Sequence, residues 1–205
     1  MPDINLKTIQ PKILYFGTPV ALITTIDQYG HPNIGPMSSV WALGYKLVLG
    51  LGCDGKTFSN LIAQKECVVN IPSINLQQNI ESIAHLTGAN PVSEGKKTLY
   101  RYEPDKFTAG GFSPIDSQVV QPPSIVDCPI QLEARLEQYS IIDFDSDGQP
   151  DVAAVTVKVI NVRAHENILI GDNHIDPEKW SPLIYNFRHY FGLGKPLGKN
   201  FKAEI

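Results

Sequence analysis

The chain has 205 residues, 42% hydrophobic and 19% charged, with a formal net charge of −4 at pH 7. That length suits one domain with a substantial core or two small ones, and the acidic balance gives no global attraction to nucleic acid or an anionic membrane. No run approaches the ~18 apolar residues of a spanning helix.

The amino-terminal MPDINLKTIQPK lacks the apolar centre of a secretion signal. Cys53, Cys67 and Cys128 are widely spaced and odd in number, with no C-x-x-C, which fits a reducing cytoplasm better than a disulfide framework or structural zinc. Sixteen glycines and sixteen prolines imply many turns and argue against a helical bundle.

In chain order, VALITTI (20–26) is rich in β-branched residues and reads as a buried strand, closed by the turn DQYG. HPNIGPMSSVWALG is extended but interrupted by proline, so part of it belongs at a sheet edge or bulge. KLVLGLG is a further strand, and its glycines imply a close approach to the backbone. FSNLIAQ has room for a short helix before ECVVNIP returns to strand.

Asn75 and Gln78 have the spacing of a capping box, with Leu76, Ile80, Ile83 and Ala84 on one helical face and Gly88 as the stop. From Ala89 to Phe107 the chain is polar and poorly patterned, a loop with one helical turn, and GGFSPIDSQVVQPPSIVDCP is extended. PIQLEARLEQYSII alternates: Ile130, Leu132, Ala134 and Leu136 form an inner face, Gln131, Glu133, Arg135 and Glu137 a solvated one. DFDSDGQPD then turns the chain, VAAVTVKVINV pairs back, and the tail carries a tryptophan and an aromatic cluster. Without repeat or linker, these hairpin connections predict a single domain over 1–205. Its class is mainly β (α+β), a largely antiparallel sheet closed into a barrel with short peripheral helices.

GLGCDGKT (50–57) satisfies G-x-x-x-x-G-K-[ST], the phosphate loop of nucleotide triphosphatases. That loop joins a parallel strand to a long helix, whereas the following helix here is short and the chain runs on in hairpins, so the triphosphatase reading lacks its context. The local chemistry stands apart from it: Lys56 and Thr57 open a helix after a glycine-rich turn, with a cation and a hydroxyl beside free N–H groups. The alternative is a plain strand-to-helix turn with an exposed lysine. Cys53 lies in the same loop, either as a thiol with a lowered pKa or as a small packing residue.

DFDSDG matches half a calcium loop, but Ala154 stands where the pattern needs Glu, leaving a solvated hairpin turn. The five histidines do not assemble, G-x-S-x-G is absent, and no metal site is expected.

Three segments together, PVALITT…DQYGHPNIGPMSSVWALG, CDGKTFSNLIAQKECVVNIPS and KWSPLIYNFRHYFGLG, resemble the flavin reductase-like FMN-binding split-barrel proteins, which include the flavoredoxins. DKFTAGGFSPIDSQVVQPPSIVDCPIQLEARL fits the same pattern, so the resemblance spans about residues 12 to 195. It implies a split β-barrel, a homodimer and non-covalently bound FMN. The ring would lie along Asn33, Met37, Ser38, Ser39 and Val40, and the phosphate would meet Lys56 and Thr57, with Cys53, Asp54 and Asn60 nearby.

Arg188, His189, Tyr190 and Phe191 would pack by the ring, with His189 the one candidate for a catalytic or nicotinamide contact. The implied activity is an NAD(P)H-dependent flavin reductase, with a flavoredoxin-type electron carrier reduced by a protein partner as the alternative. No G-x-G-x-x-G follows a strand, so a nicotinamide would bind shallowly over the flavin.

Overall fold

A computed structural model describes residues 4–202; the domain expected over 1–205 thus includes six terminal residues outside the described ones. Seven strands form one antiparallel sheet: β2 (Ala21–Ile26), β3 (Pro32–Met37), β4 (Val40–Leu43), β5 (Lys46–Gly52), β6 (Glu66–Ile71), and two long strands, β7 (Ile130–Phe144) and β8 (Pro150–Ala164). Their spatial order is β3-β2-β6-β7-β8-β5-β4. The proline-interrupted segment therefore supplies both edges, β3 with Pro32 and Pro36 and β4 after it, as its composition requires.

Those two edges are consecutive in the chain, which forces the sheet to roll up. Laid flat, six inter-strand gaps of about 4.8 Å would hold them roughly 29 Å apart. Met37 and Val40 are linked through Ser38 and Ser39 alone, and three Cα steps of ~3.8 Å reach only about 11 Å. The sheet is a barrel with a seam at Ser38–Ser39, where the Gly50 N–H donates to the Ser39 carbonyl at 2.8 Å.

Inside the barrel lie Ala21, Ile23, Leu49, Val69, Ala134, Val155 and Val157, all inaccessible to solvent. β2 is buried on its other face too, where Leu22 joins Ile34, Ile80, Ile83, Phe107 and Phe112 in a second cluster. That double burial explains why VALITTI reads as an unbroken apolar run. Full burial of a residue such as Leu49 contributes about 1.5–3 kcal/mol.

Outside the barrel, α1 (Lys56–Gln64) follows β5 and α2 (Gln77–Ala84) and α3 (Lys106–Gly110) pack on each other. A small sheet joins β1 (Phe16–Pro19) to the tail hairpin of β9 (Ile184–Asn186) and β10 (His189–Phe191).

Three sequence expectations need correction. Asn75 sits within a single 3-10 turn (Ile74–Leu76), and the helix begins after it with no side-chain cap, so no capping box forms. Gly88 does not end that helix. His85 caps it, and Gly88 follows a two-residue strand, Leu86–Thr87, that pairs in parallel with Arg101–Tyr102. The polar face of β7 is not solvated throughout: Gln131 and Glu133 are buried. The segment preceding β7 folds over them, and the Glu133 carboxylate accepts the Gln118 and Val119 N–H groups and lies 3.5 Å from Arg163 Nε. A charged residue buries where it is paired, which alternation alone does not reveal.

Candidate functional site

The barrel seam, the start of α1 and the tail hairpin enclose a cavity of about 470 Å³, within the range of small-molecule and cofactor sites. Glycines shape its floor. A Cβ at Gly35 would sit 2.2 Å from Thr57 Oγ1, and one at Gly50 2.8 Å from Ser39 Cβ. The close approach expected at KLVLGLG is thus made by the Ser39 side chain.

At one end α1 begins. Gly55 precedes it in extended conformation and no side chain caps it, so its first-turn amides and the positive end of its dipole face the cavity wall formed by Gly55, Lys56, Thr57 and Phe58. Lys56 Nζ is 3.6 Å from Asp27 Oδ2, a loose pairing that leaves the ammonium able to meet an anion. Asn33 Nδ2 donates to Thr57 Oγ1 at 3.1 Å, which leaves the hydroxyl proton free to donate elsewhere. Asn33 Oδ1 is buried without a partner.

At the other end Met37, Ser38 and Ser39 line the seam and face Tyr15, Tyr185 and Tyr190. The Tyr15 hydroxyl bonds to Ser39 Oγ, and edge-on ring contacts of 5.5 Å and 5.7 Å tie Tyr15 to Tyr185 and Tyr185 to Tyr190. Tyr190 donates to Glu81 Oε2 at 3.1 Å; burial and then this carboxylate push its pKa up.

Of the residues singled out in the sequence, Met37, Ser38, Ser39, Lys56, Thr57 and Tyr190 line the cavity. The others serve around it or stand apart. Asn33 holds Thr57. Asn60 is buried and donates to Thr25 Oγ1 at 3.2 Å, docking α1 on β2. Val40 belongs to the barrel core, and Cys53 packs against that core. Burial, then Asp151 and Asp54, raise the Cys53 pKa, so the lowered value considered for this thiol is not found.

Asp54 is engaged by Lys96 and Ser93. Burial would raise its carboxyl, but these bonds outweigh it and hold the pKa below the usual range. Arg188 is exposed in the turn between β9 and β10, where it and Phe187 take φ of 68° and 43°, the left-handed pair of a tight hairpin turn. His189 and Phe191 are exposed, and His189 Nδ1 contacts the Phe187 carbonyl oxygen at 2.9 Å. His189 does not line the cavity.

Sequence reasoning missed much of the lining, Tyr15 and Tyr185 included, and three of the missed residues carry chemistry of their own. Lys96 and Tyr100 come from the unpatterned stretch after Gly88. Lys106, the first residue of α3, is 4% exposed and makes no hydrogen bond or ion pair with any described residue. Burial lowers its pKa to about 8. No local sequence signal marked it: a lysine next to Asp105 in a polar stretch reads as exposed, because lysines are almost never buried without a partner. Among the described residues no group of three or more His, Cys, Asp or Glu is arranged to hold a metal, and no helix is long and apolar enough to cross a membrane.

The sequence model of the flavin reductase like domain matches residues 13–194. The chain belongs to that family. The protein YdfE of Bacillus subtilis strain 168, described as uncharacterized, is 44% identical over 199 residues, 97% of this chain and 94% of that one. Among solved structures, the flavoredoxin of Desulfovibrio vulgaris (Miyazaki F) superposes with a TM-score of 0.78 at 20% identity, covering 97% of this chain and 99% of that one. The FMN-binding domain of a flavin reductases-like enzyme from Shewanella baltica OS155 gives 0.66 at 16%, covering 89% and 90%. The fold is the split barrel of these proteins, and family membership supports a flavin-related oxidoreductase or electron-transfer role.

Proposed function

We propose that the protein binds FMN in this cavity and acts as an NAD(P)H-dependent flavin reductase, passing electrons through the bound flavin. The observation that carries the reading is one cavity with two different ends: a helix start with Lys56 and Thr57, and a seam of Met37, Ser38 and Ser39 under aromatic cover. A phosphate suits the first, where amides, an ammonium and a free hydroxyl proton converge. A flat ring suits the second. The orphaned Asn33 Oδ1, beside Gly88 of the cavity wall, fits a ligand hydroxyl such as those of a ribityl chain. A monophosphate also needs neither magnesium nor a second acidic motif, which accounts for a phosphate loop outside a triphosphatase fold.

When bound, FMN supplies the two-electron redox chemistry. The chain's own residues do the rest. Lys56, Thr57 and the first-turn amides anchor, and Asn33 orients Thr57. Tyr15, Tyr185 and Tyr190 exclude water from the ring end. Lys106 contributes a positive charge that favours added electron density in its neighbour. A nicotinamide donor would dock from solvent at the cavity mouth. In the same reading the chain is a single domain, since both core clusters share β2. It works as a homodimer in the cytoplasm, where its three free cysteines stay reduced.

The test is to release any ligand from purified protein by heat, identify it by chromatography, and follow anaerobic bleaching of the flavin with NADH and NADPH. FMN with rapid bleaching by either donor is expected. Bound FMN with no bleaching would assign the chain as an electron carrier reduced by a protein partner; protein that takes up no flavin overturns the reading.

A further inference from the structure

The segment 88–100, unpatterned in sequence, holds one 3-10 turn, Glu94–Lys96, and is fixed at three places. Its base is pinned where Leu86–Thr87 pairs in parallel with Arg101–Tyr102, flanked by the Arg101 N–H to His85 carbonyl bond at 3.1 Å and the Glu103 N–H to Thr87 carbonyl bond at 2.9 Å. Its first residue lies on the Lys56 stem: a Cβ at Gly88 would be 3.1 Å from Lys56 Cγ. Its middle is clasped to the turn before α1, where Ser93 Oγ donates to Asp54 Oδ2 at 2.6 Å and Lys96 Nζ to Asp54 Oδ1. The segment thus touches both flanks of the α1 start, at Lys56 and at Asp54. It also contributes Lys96 and Tyr100 to the cavity wall, with the Lys96 ammonium 5.9 Å from the Tyr100 ring centre.

We propose that this segment is a strap that closes the phosphate end of the cavity and makes the site selective for a flavin ending in a phosphomonoester, with Lys96 as the specificity-determining residue. The proposal rests on the flavin reading above. A terminal phosphate carries two negative charges, and Lys56 alone is a single, loosely paired cation. Lys96 stands on the opposite flank, half-buried and ion-paired with Asp54; the pair is neutral, and what it offers the phosphate is the ammonium N–H donors that Asp54 does not take. A flavin whose phosphate continues into a second nucleotide must send its chain out past the helix start, and the strap would stand in its way there, where a Cβ at Gly52 of the turn before α1 would lie 3.7 Å from Lys96 Nζ. Asp54 therefore serves as the anchor of the strap, which is why a carboxylate is tolerated beside an anion site: Lys96 and Ser93 already take both its oxygens.

Equilibrium binding of FMN, FAD and riboflavin, read by flavin fluorescence quenching, tests this on the full chain. Wild-type protein is expected to bind FMN at least about 100-fold more tightly than FAD. Lys96→Met should weaken FMN about tenfold and leave riboflavin unchanged, with an unaltered circular dichroism spectrum. A variant with residues 90–99 replaced by a short Gly-Ser turn should bring FAD within about tenfold of FMN. Equal binding of FMN and FAD by the wild type, or an equal loss of FMN and riboflavin in Lys96→Met, overturns the strap while leaving the flavin site standing. Failure to bind all three flavins overturns the flavin reading itself. Should the shortened variant not fold, the wild-type comparison and Lys96→Met decide alone.

Discussion

Thr57 shows how a single atom's surroundings decide whether a residue can serve. Its hydroxyl accepts from Asn33 and packs on Gly35, which leaves no room for a Cβ there. Gly35→Ala therefore pushes Thr57 out of place, costing about 1–3 kcal/mol of stability and weakening FMN binding, measured by chemical denaturation and by titration. Lys106 makes the opposite case, since its burial destabilises the empty protein. Its pKa falls from 10.5 to about 8 on folding, so between those values the unfolded chain holds the extra proton and stability rises with pH. Below pH 8 the full cost of roughly 2–4 kcal/mol applies. Lys106→Met is expected to be more stable than wild type at pH 7, and the gap should close as pH rises from 8 to 10, followed by thermal unfolding of flavin-free protein. An equal gap at both ends of that range would show that the ammonium is not what the site strains to hold.

At the scale of elements, α1 is positioned by Asn60, whose amide reaches Thr25 on β2 from within the helix. Asn60→Ala leaves Thr25 without its partner and should cost about 1–2 kcal/mol. Because it loosens the helix that presents Lys56 and Thr57, FMN should dissociate faster in stopped-flow release. The same element shows what was legible in sequence. The glycine-rich turn and the Lys-Thr pair announced an anion end, and prolines announced the edges at Pro32 and Pro36, because both signals are local backbone physics. Asn60 also looked functional, but sequence spacing could not say that its partner would be Thr25 rather than a ligand.

Gln131 and Glu133 misled for a related reason: alternation assigns a residue to a face but cannot say what later covers that face. The 88–100 segment carried no periodicity at all. Its role depends on the Asp54 contact, between residues some forty positions apart, and nothing local encodes it.

At the scale of the whole molecule, β4 carries the clearest unfinished surface. Trp41 and Leu43 project from one face of this edge strand, 58% and 75% exposed, and Tyr45 follows at 70%. An edge strand with large apolar residues is a hazard unless something covers it, and a second copy of the chain is the cover consistent with the homodimer proposed above. β4 begins immediately after Ser39, so whatever clamps its outer face also fixes the seam beneath the ring end of the cavity. Two consequences follow together. Replacing Leu43 by Glu and Trp41 by Ser should convert the protein from a two-chain to a one-chain species in sedimentation velocity. FMN affinity in that variant should fall about tenfold or more, because the seam loses its outer support. On the proposed homodimer the same coupling should make FMN binding in wild-type protein depend on protein concentration, tightening as chains associate. A two-chain species that persists in the double variant would move the interface away from β4, and a one-chain variant with undiminished FMN binding would separate assembly from the site.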